Sequence, residues 1–194
     1  GVDVAELVAT HAVPGPDGVR FLQLGKLPGR VKPGSTTAFR AVLEQFRTEG
    51  WTMVGDLAAG TRQPFFGWSD FAEVVLIVVE PSAKSLLSAR RLAKLAHRPA
   101  EEQAVDAVEP QPIVGIVASK MRATGDVQRI QHMLAEQRLP LLATVPFDEQ
   151  VAAAERLGRA PIDAAPTAPA MVAIQELAER LEQMVTAHRQ NRSL

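Results

Sequence analysis

The stretch EVVLIVVEPSAKSLLSARRL, residues 73–92, decides the fold class of this chain. Its apolar run Val74–Val79 is far too short to span a bilayer and is apolar on both faces, as in a strand of a covered sheet. From about Ser82 the apolar residues recur at helical spacing across Leu86–Leu95, while basic residues occupy the opposite face. We therefore expect a strand at the centre of a mostly parallel sheet, followed by a helix that covers it.

The same pattern, a short apolar run followed by a segment with helical spacing of apolar residues, recurs before and after residues 73–92. Such alternation is typical of an α/β fold with a mostly parallel sheet flanked by helices on both faces, and the length favours a single domain over residues 1–194. The predicted strands are Val19–Gly25, Trp51–Leu57, Glu73–Pro81, Pro112–Lys120 and Pro140–Pro146. The predicted helices cover residues 37–50, a segment from about Ser82, residues 126–137, a short segment from Glu149 and a terminal segment from about Ala170.

Composition excludes several classes of protein. A hydrophobic content of 46%, a charged content of 22% and a formal net charge of -1 are typical of a soluble globular protein and offer no strong signal for nucleic acid. The chain has no cysteine, which excludes thiolate metal sites and disulfides, and its four histidines lack metal-ligand spacing. Without a membrane-spanning run or the order of a signal peptide, the cytoplasm is the expected compartment.

The amino-terminal segment, residues 1–18, is expected to hold a short helix ahead of a turn rich in Pro and Gly. Its start shows no capping signal, so we expect a domain that is incomplete at its amino terminus. A second irregular segment, residues 97–112, is acidic and bounded by proline, which predicts a surface excursion.

Small and acidic residues follow several of the predicted strands. In an open parallel sheet, ligands bind outside the carboxyl ends of the strands, so these positions are the first candidates for a site. The second strand runs into GDLAAGTRQPFFG, residues 55–67, which contains Asp56 and Gly60. The third strand ends in EPS, the fourth in ASKMRATGD, residues 118–126, and the fifth in VPFDEQV, residues 145–151.

The order of these strand ends resembles the MinD/ParA/CooC family of dimerising ATPases, the CooC-like nickel-insertion ATPases in particular, from Val19 to the end of the chain. The resemblance implies a P-loop NTPase-like, three-layer α/β/α fold, ATP and Mg²⁺ as ligands, and a homodimer that acts on a protein partner. It also implies that Asp56 assists in positioning the Mg-bound and nucleophilic waters, and that Gly60 belongs to a switch that senses the γ-phosphate.

The resemblance extends to the side of the site that would hold the base. The family has an adenine-reading Asn at the end of the fourth of these strands, where this chain has Ser119 with Lys120 beside it, a departure that bears on base specificity. The backbone around Pro146 and Phe147 would flank the base. The family's cysteines for metal handling are absent, so a role in nickel handling is not supported.

The family's phosphate loop, a Gly-rich segment with two lysines on a central first strand, has no counterpart in these residues. The stretch GRVKPGSTT, residues 29–37, follows a predicted strand but lacks a Lys directly before Ser or Thr, and Pro33 removes an N–H donor. We interpret it as a turn that caps the next helix. Phosphate binding in this family rests on that loop, so we expect the chain as written to bind ATP poorly.

Two hypotheses for function remain at this point. The first is a nucleotide-dependent molecular switch of the MinD/ParA/CooC ATPase type, inactive as written because it lacks its phosphate-binding loop. The alternative is a non-enzymatic, degenerate ATPase-like module that binds a protein partner through the aromatic segment 65–71. A hydrolase with its own nucleophile is excluded by the absence of a Gly-x-Ser-x-Gly elbow. The terminal helix mixes acidic and basic residues on its polar face, which favours docking on the sheet over membrane targeting.

Overall fold

A computed structural model of the chain describes residues 3–23, 35–56, 72–96, 112–137 and 139–192. The chain divides into two compact units, residues 1–57 and residues 58–194. The single domain expected from the length stays a prediction. In the described residues, no helix combines the length and the apolar character that crossing a bilayer requires.

The described residues of the first unit form two α-helices and a β-hairpin. The expectation that its start lacks a capping residue is wrong: the Asp3 carboxylate accepts a hydrogen bond from the Glu6 N–H at 3.1 Å, which satisfies one of the unpaired donors of the first turn. The elements of this unit are α1 (Val4–His11), β1 (Ala12–Pro14), a 3-10 turn (Pro16–Gly18), β2 (Arg20–Leu22) and α2 (Ser35–Thr48).

The first predicted strand, Val19–Gly25, differs from the structure in its extent and its partner. Its described part forms β2, which pairs antiparallel with β1 rather than joining a parallel sheet. The cause is the turn between them, where Asp17 and Gly18 both have positive φ and reverse the chain within a few residues. A parallel connection would need a much longer crossover.

The second predicted strand, Trp51–Leu57, is wrong for residues 51–56, which form neither strand nor helix. Gly50, at φ +80°, ends α2 as expected, and the Trp51 ring then packs edge-on against the buried Phe46 at 5.9 Å. The following side chains are exposed, Val54 by 95%, and their backbone joins no ladder in the described part of the chain. An alternating apolar pattern yields a strand when a neighbouring strand pairs with it, and none does here.

The second unit holds a three-stranded parallel sheet with the order β3-β4-β5. All three strands and four of the five described helices match predicted elements to within a few residues, whereas the short helix Pro161–Ala164 lies in the Pro-rich stretch for which no helix was predicted. The strands are β3 (Val74–Val79), β4 (Ile113–Met121) and β5 (Leu141–Pro146). The helices are α3 (Ala83–Ala96), α4 (Thr124–Gln137), α5 (Glu149–Arg156), α6 (Pro161–Ala164) and α7 (Pro169–Arg192).

Helices cover both faces of this sheet. On one face, residues such as Ile77 and Ile116 form a core with Ala89 and Ala93 of α3 and Ile130 of α4. On the other face, the sheet packs against α5 and α7 through a second core that contains Val117, Val145, Val151, Ala170 and Leu177. The predicted three-layer α/β/α architecture is therefore confirmed.

The order of the sheet is known for the described strands, so the expected central position of Val74–Val79 stays a prediction for the whole chain. Among the described strands β4 lies in the middle, and β3 lies beside it with Val78 exposed by 60%. In β4, by contrast, Ile116, Val117 and Ala118 are all buried in succession, because each face meets a helical layer. An apolar run shows that a strand can be covered on both faces, but it does not specify the order of its neighbours.

The terminal helix α7 docks on the sheet, as its mixed charge predicted. The Arg180 Nη1 donates to the Leu142 carbonyl at 2.7 Å, and the Arg189 guanidinium meets Glu73 in a two-pronged ion pair of 2.5 and 2.8 Å. Leu142 sits where β5 has one extra residue relative to β4, so Arg180 satisfies a carbonyl at an irregularity in the ladder.

Substitution of Gly115 by Ala tests the packing at this irregularity. A Cβ at Gly115 would lie 2.5 Å from the buried Leu142 Cγ, so we expect Gly115→Ala to lower the free energy of unfolding by about 1–3 kcal/mol. Gly125→Ala is the matched control, because its added Cβ meets no atom within 4 Å beyond its chain neighbours and its own helix, so it should not lower stability and, as a helical glycine, should raise it by about 0.4–1 kcal/mol. Urea denaturation followed by circular dichroism measures both, and equal stabilities would contradict the packing described here.

Candidate functional site

The carboxyl ends of the three parallel strands lie at one edge of the second unit's sheet. Five residues at this edge, Glu80, Lys120, Arg122, Phe147 and Asp148, are named here the strand-end cluster. The ends of β4 and β5 are joined by the Phe147 N–H, which donates to the Met121 carbonyl at 2.8 Å. The edge is thus continuous from the end of β3 to the end of β5.

A β-bulge at the end of β4 places Lys120 at this edge. Between Ala118 and Met121 the chain advances three residues while the paired β5 advances two, so β4 carries one extra residue. Ile116 and Ala118 face the core under α3 and α4, and regular alternation would put Lys120 there next. Instead Met121 enters that core at 5% exposure, and Lys120 adopts a left-handed backbone at φ +59° and stays exposed.

The ammonium of Lys120 pairs with the carboxylate that follows β3. The Lys120 Nζ lies 2.7 Å from the Glu80 Oε1. The hydrogen bond to Glu80, and then its charge, raise the pKa of Lys120 above its ordinary value; Glu155 adds to the increase and partial burial opposes it. Both side chains are about half exposed, so the pair contributes at most about 1 kcal/mol to stability. The ion pair instead orients the Lys120 side chain, because it directs the ammonium across the ends of the strands to Glu80.

Arg122 is held at both its backbone and its side chain. The Arg122 and Ala123 N–H groups donate to the Asp126 Oδ2 at 3.1 and 3.2 Å, which fixes the chain where β4 leads into α4. The Asp126 carboxylate lies in the first turn of α4, where the helix dipole favours negative charge. The Arg122 guanidinium carbon then lies 3.4 Å from the centroid of the Phe147 ring, a cation–π contact.

Asp148 organises the end of β5. Its Oδ1 accepts from the Gln150 and Val151 N–H groups at 2.8 and 3.4 Å, which caps α5. Its Oδ2 accepts from the Ala170 N–H at 3.4 Å, in the first turn of α7. One carboxylate therefore joins two helix N-termini and fixes the residue that follows Phe147.

The structure brings together four of the six residues that the sequence proposed as a site. Ser119, Lys120, Pro146 and Phe147 lie at the ends of β4 and β5, with Pro146 paired to Met121 in the ladder. Asp56 lies in the first unit, exposed at the end of the irregular segment 51–56. Gly60 and the aromatic segment 65–71 lie outside the described residues, so their proposed roles stay predictions.

Sequence reasoning left three members of the strand-end cluster out of its site residues: Glu80, Asp148 and Arg122, the last of which it interpreted mainly as a surface charge. Glu80 and Asp148 were visible as acidic residues directly after strands, which is the position where such side chains converge. The bulge also has a counterpart in the sequence. The buried residues Ala118 and Met121 are three positions apart, whereas successive residues on one face of a regular strand are two positions apart. The stacking of Arg122 on Phe147 has no such counterpart, because the two residues lie far apart in the sequence.

The cluster fits part of a nucleotide. Two cations, Lys120 and Arg122, and the Phe147 ring suit a ligand that combines negative charge with a planar group. In the described part of the chain, no group of three or more His, Asp or Glu side chains is placed to hold a metal ion.

Comparison with known sequences identifies a relative that is described as ATP-binding. No protein-family model matches the sequence. The chain is 28% identical, over 132 residues, to an uncharacterised ATP-binding protein of Methanocaldococcus jannaschii, and this match covers 68% of the chain and 47% of that protein. The chain thus spans about half the length of the curated relative it matches.

Comparison with solved structures identifies the fold. The MinD cell division protein of Aquifex aeolicus superposes with a TM-score of 0.60 at 18% identity, over 77% of this chain and 61% of that one. MinD in a MinC:MinD complex of the same organism gives 0.58 at 19% identity, over 77% and 60%. The cell division ATPase MinD of Pyrococcus furiosus gives 0.55 at 18% identity, over 77% and 59%. The chain therefore has a MinD-like, P-loop NTPase-like α/β fold.

Removal of the Asp148 carboxylate tests its bridging role. We expect Asp148→Ala to destabilise the second unit by about 1–2 kcal/mol, because two helix starts lose a hydrogen-bond acceptor. The control is Asp163→Ala, an exposed residue in the first turn of α6, which should stay within about 0.5 kcal/mol of the parent. Chemical denaturation monitored by circular dichroism gives both values, and an unaffected Asp148→Ala would refute the bridge.

Proposed function

We propose that this chain belongs to a nucleotide-dependent switch of the MinD/ParA/CooC ATPase type, in which the strand-end cluster holds the nucleoside side of ATP. The observation that carries the proposal is the bulge at Lys120, which brings a lysine and a stacked Arg–Phe pair to the carboxyl edge of a MinD-like sheet. The ATP-binding description of the Methanocaldococcus relative and the MinD neighbours support it.

Each residue at this edge has a role in the proposal. Lys120 would exchange its Glu80 partner for a phosphate oxygen, an exchange that its exposure and its long flexible stem permit. The backbone of Pro146 and Phe147 would lie beside the base, and the Ser119 hydroxyl would offer a hydrogen bond to it in place of the family's Asn. ATP, when bound, would supply the phosphoanhydride whose hydrolysis resets such a switch.

The phosphate side of the site rests on the resemblance. Asp56 would position water and Gly60 would sense the γ-phosphate, with Mg²⁺ arriving together with the nucleotide. No Gly-rich loop with a Lys before Ser or Thr occurs in the 194 residues. We therefore propose that these residues alone bind ATP weakly, and that full affinity and hydrolysis require such a loop.

Homodimerisation and a cytoplasmic location complete the proposal. The MinC:MinD complex shows that a protein of this fold assembles with a partner. Here the partner is unknown. The alternative, a non-enzymatic module that binds its partner through residues 65–71, makes the opposite prediction for nucleotide and is tested by the same experiment.

Titration with Mg-ATP, followed by NMR amide shifts, tests the proposal. We expect saturable millimolar binding that shifts the amides of residues 119–122 and of Phe147. Lys120→Ala should weaken the binding roughly tenfold, because it removes a charged hydrogen bond to phosphate. Lys84→Ala, an exposed lysine on α3, is the control and should bind as the parent does. A folded protein that shows no shift at millimolar Mg-ATP would favour the partner-binding module.

A further inference from the structure

We infer that Arg122 and Phe147 form one stacked platform for the nucleobase, so that the site selects a ligand with a planar base over a polyphosphate without one. The inference rests on the proposed function and adds to it the chemical class of the ligand and a binding residue, Arg122. Its physical basis is the contact in which the Arg122 guanidinium carbon lies 3.4 Å above the Phe147 ring.

The contact leaves one face of the guanidinium open. The Phe147 ring covers one side of the planar head, and Arg122 is exposed to solvent, so a ligand can reach its other side. A flat, delocalised cation that already rests on an aromatic ring is a surface on which a further planar group stacks. Aromatic rings and arginine planes are the usual stacking partners of nucleobases in proteins.

The orientation favours a base over a phosphate as the ligand of Arg122. Arginine binds phosphate through its edge, where paired N–H groups meet two oxygens. A guanidinium carbon only 3.4 Å from the centroid of Phe147 leaves no room for the head to stand on its edge, so we infer that it lies flat on the ring and presents its face instead. Lys120, two residues earlier in the chain and exposed at the bulge, is the compact cation better suited to phosphate. Lys120 is therefore suited to the phosphate groups of the ligand, and Arg122 is suited to its base.

The platform is organised before any ligand arrives. The Arg122 N–H is held by Asp126 at 3.1 Å, and the Phe147 N–H is held by the Met121 carbonyl at 2.8 Å. Asp148, the next residue, is fixed by the helix starts that it caps. Because both backbones are restrained, stacking a base costs little additional ordering of the protein.

The test compares Mg-ATP with inorganic tripolyphosphate on the whole chain, by NMR titration of the parent and of Arg122→Lys. The substitution keeps the charge but removes the planar head. We expect the affinity for ATP to fall roughly tenfold while the affinity for tripolyphosphate is unchanged. Arg91→Lys, an exposed arginine on α3, is the matched control and should leave both affinities as they are in the parent.

A double-mutant cycle with Phe147→Leu adds a second criterion. If the two side chains act as one platform, Arg122→Lys should cost much less ATP affinity in the Phe147→Leu background than in the parent. Circular dichroism of each variant confirms that the fold is retained. Additive losses would mean that Arg122 and the ring act separately, and would overturn the inference.

The outcomes separate this inference from the proposed function. Equal losses for ATP and tripolyphosphate would make Arg122 a phosphate contact, and an unchanged ATP affinity would remove Arg122 from the site. Either result overturns the platform and leaves nucleotide binding intact. A parent protein that binds neither ligand at millimolar concentration would overturn the proposed function, and the inference with it.

Discussion

The burial of β4 between two layers of helices is the constraint on which the second unit depends. Ile116, Val117 and Ala118 are buried in succession, so the side chains on both faces of β4 must be small or apolar. A lysine at the next inward position would bring an unpaired charge into that core, which costs several kcal/mol. The bulge resolves the conflict by inserting Met121 into the core and moving Lys120 to the edge. The same irregularity that protects the core thus supplies the site with its cation.

Carboxylates then organise each strand end in a different way. Glu80 pairs with the lysine side chain, Asp126 accepts from the backbone that leaves β4, and Asp148 caps the helices that follow β5. None of these contacts is worth more than about 1–2 kcal/mol by itself. Together they restrain the segments that carry Arg122 and Phe147, which is the preorganisation that ligand binding requires. The stability of this edge and the proposed nucleotide site therefore depend on the same few hydrogen bonds.

The sequence predicted the second unit better than the first. Its three described strands and most of its described helices follow from apolar spacing. The residues at the strand ends resemble those of MinD-type proteins, and this resemblance agrees with the fold found by comparison. In the first unit, the predicted strands Val19–Gly25 and Trp51–Leu57 share the same local pattern but not the same outcome. Strand pairing is a property of two segments, so one segment read by itself cannot specify whether a partner is present. The MinD-like fold is established by comparison, whereas ParA or CooC kinship and the lost phosphate loop stay predictions.

What the sequence by itself determined is local: which segments of the second unit are strands and long helices, where Gly50 ends a helix, and which residues stand at strand ends as candidates for a site. These follow from side-chain periodicity and backbone preference, which act over a few neighbouring residues. Only the tertiary structure decided that β4 is central among the described strands, that Lys120 is the extra residue of a bulge, and that Arg122 stacks on Phe147. The reason is that these features depend on the register between strands and on contacts between residues distant in the chain, which local preferences do not encode.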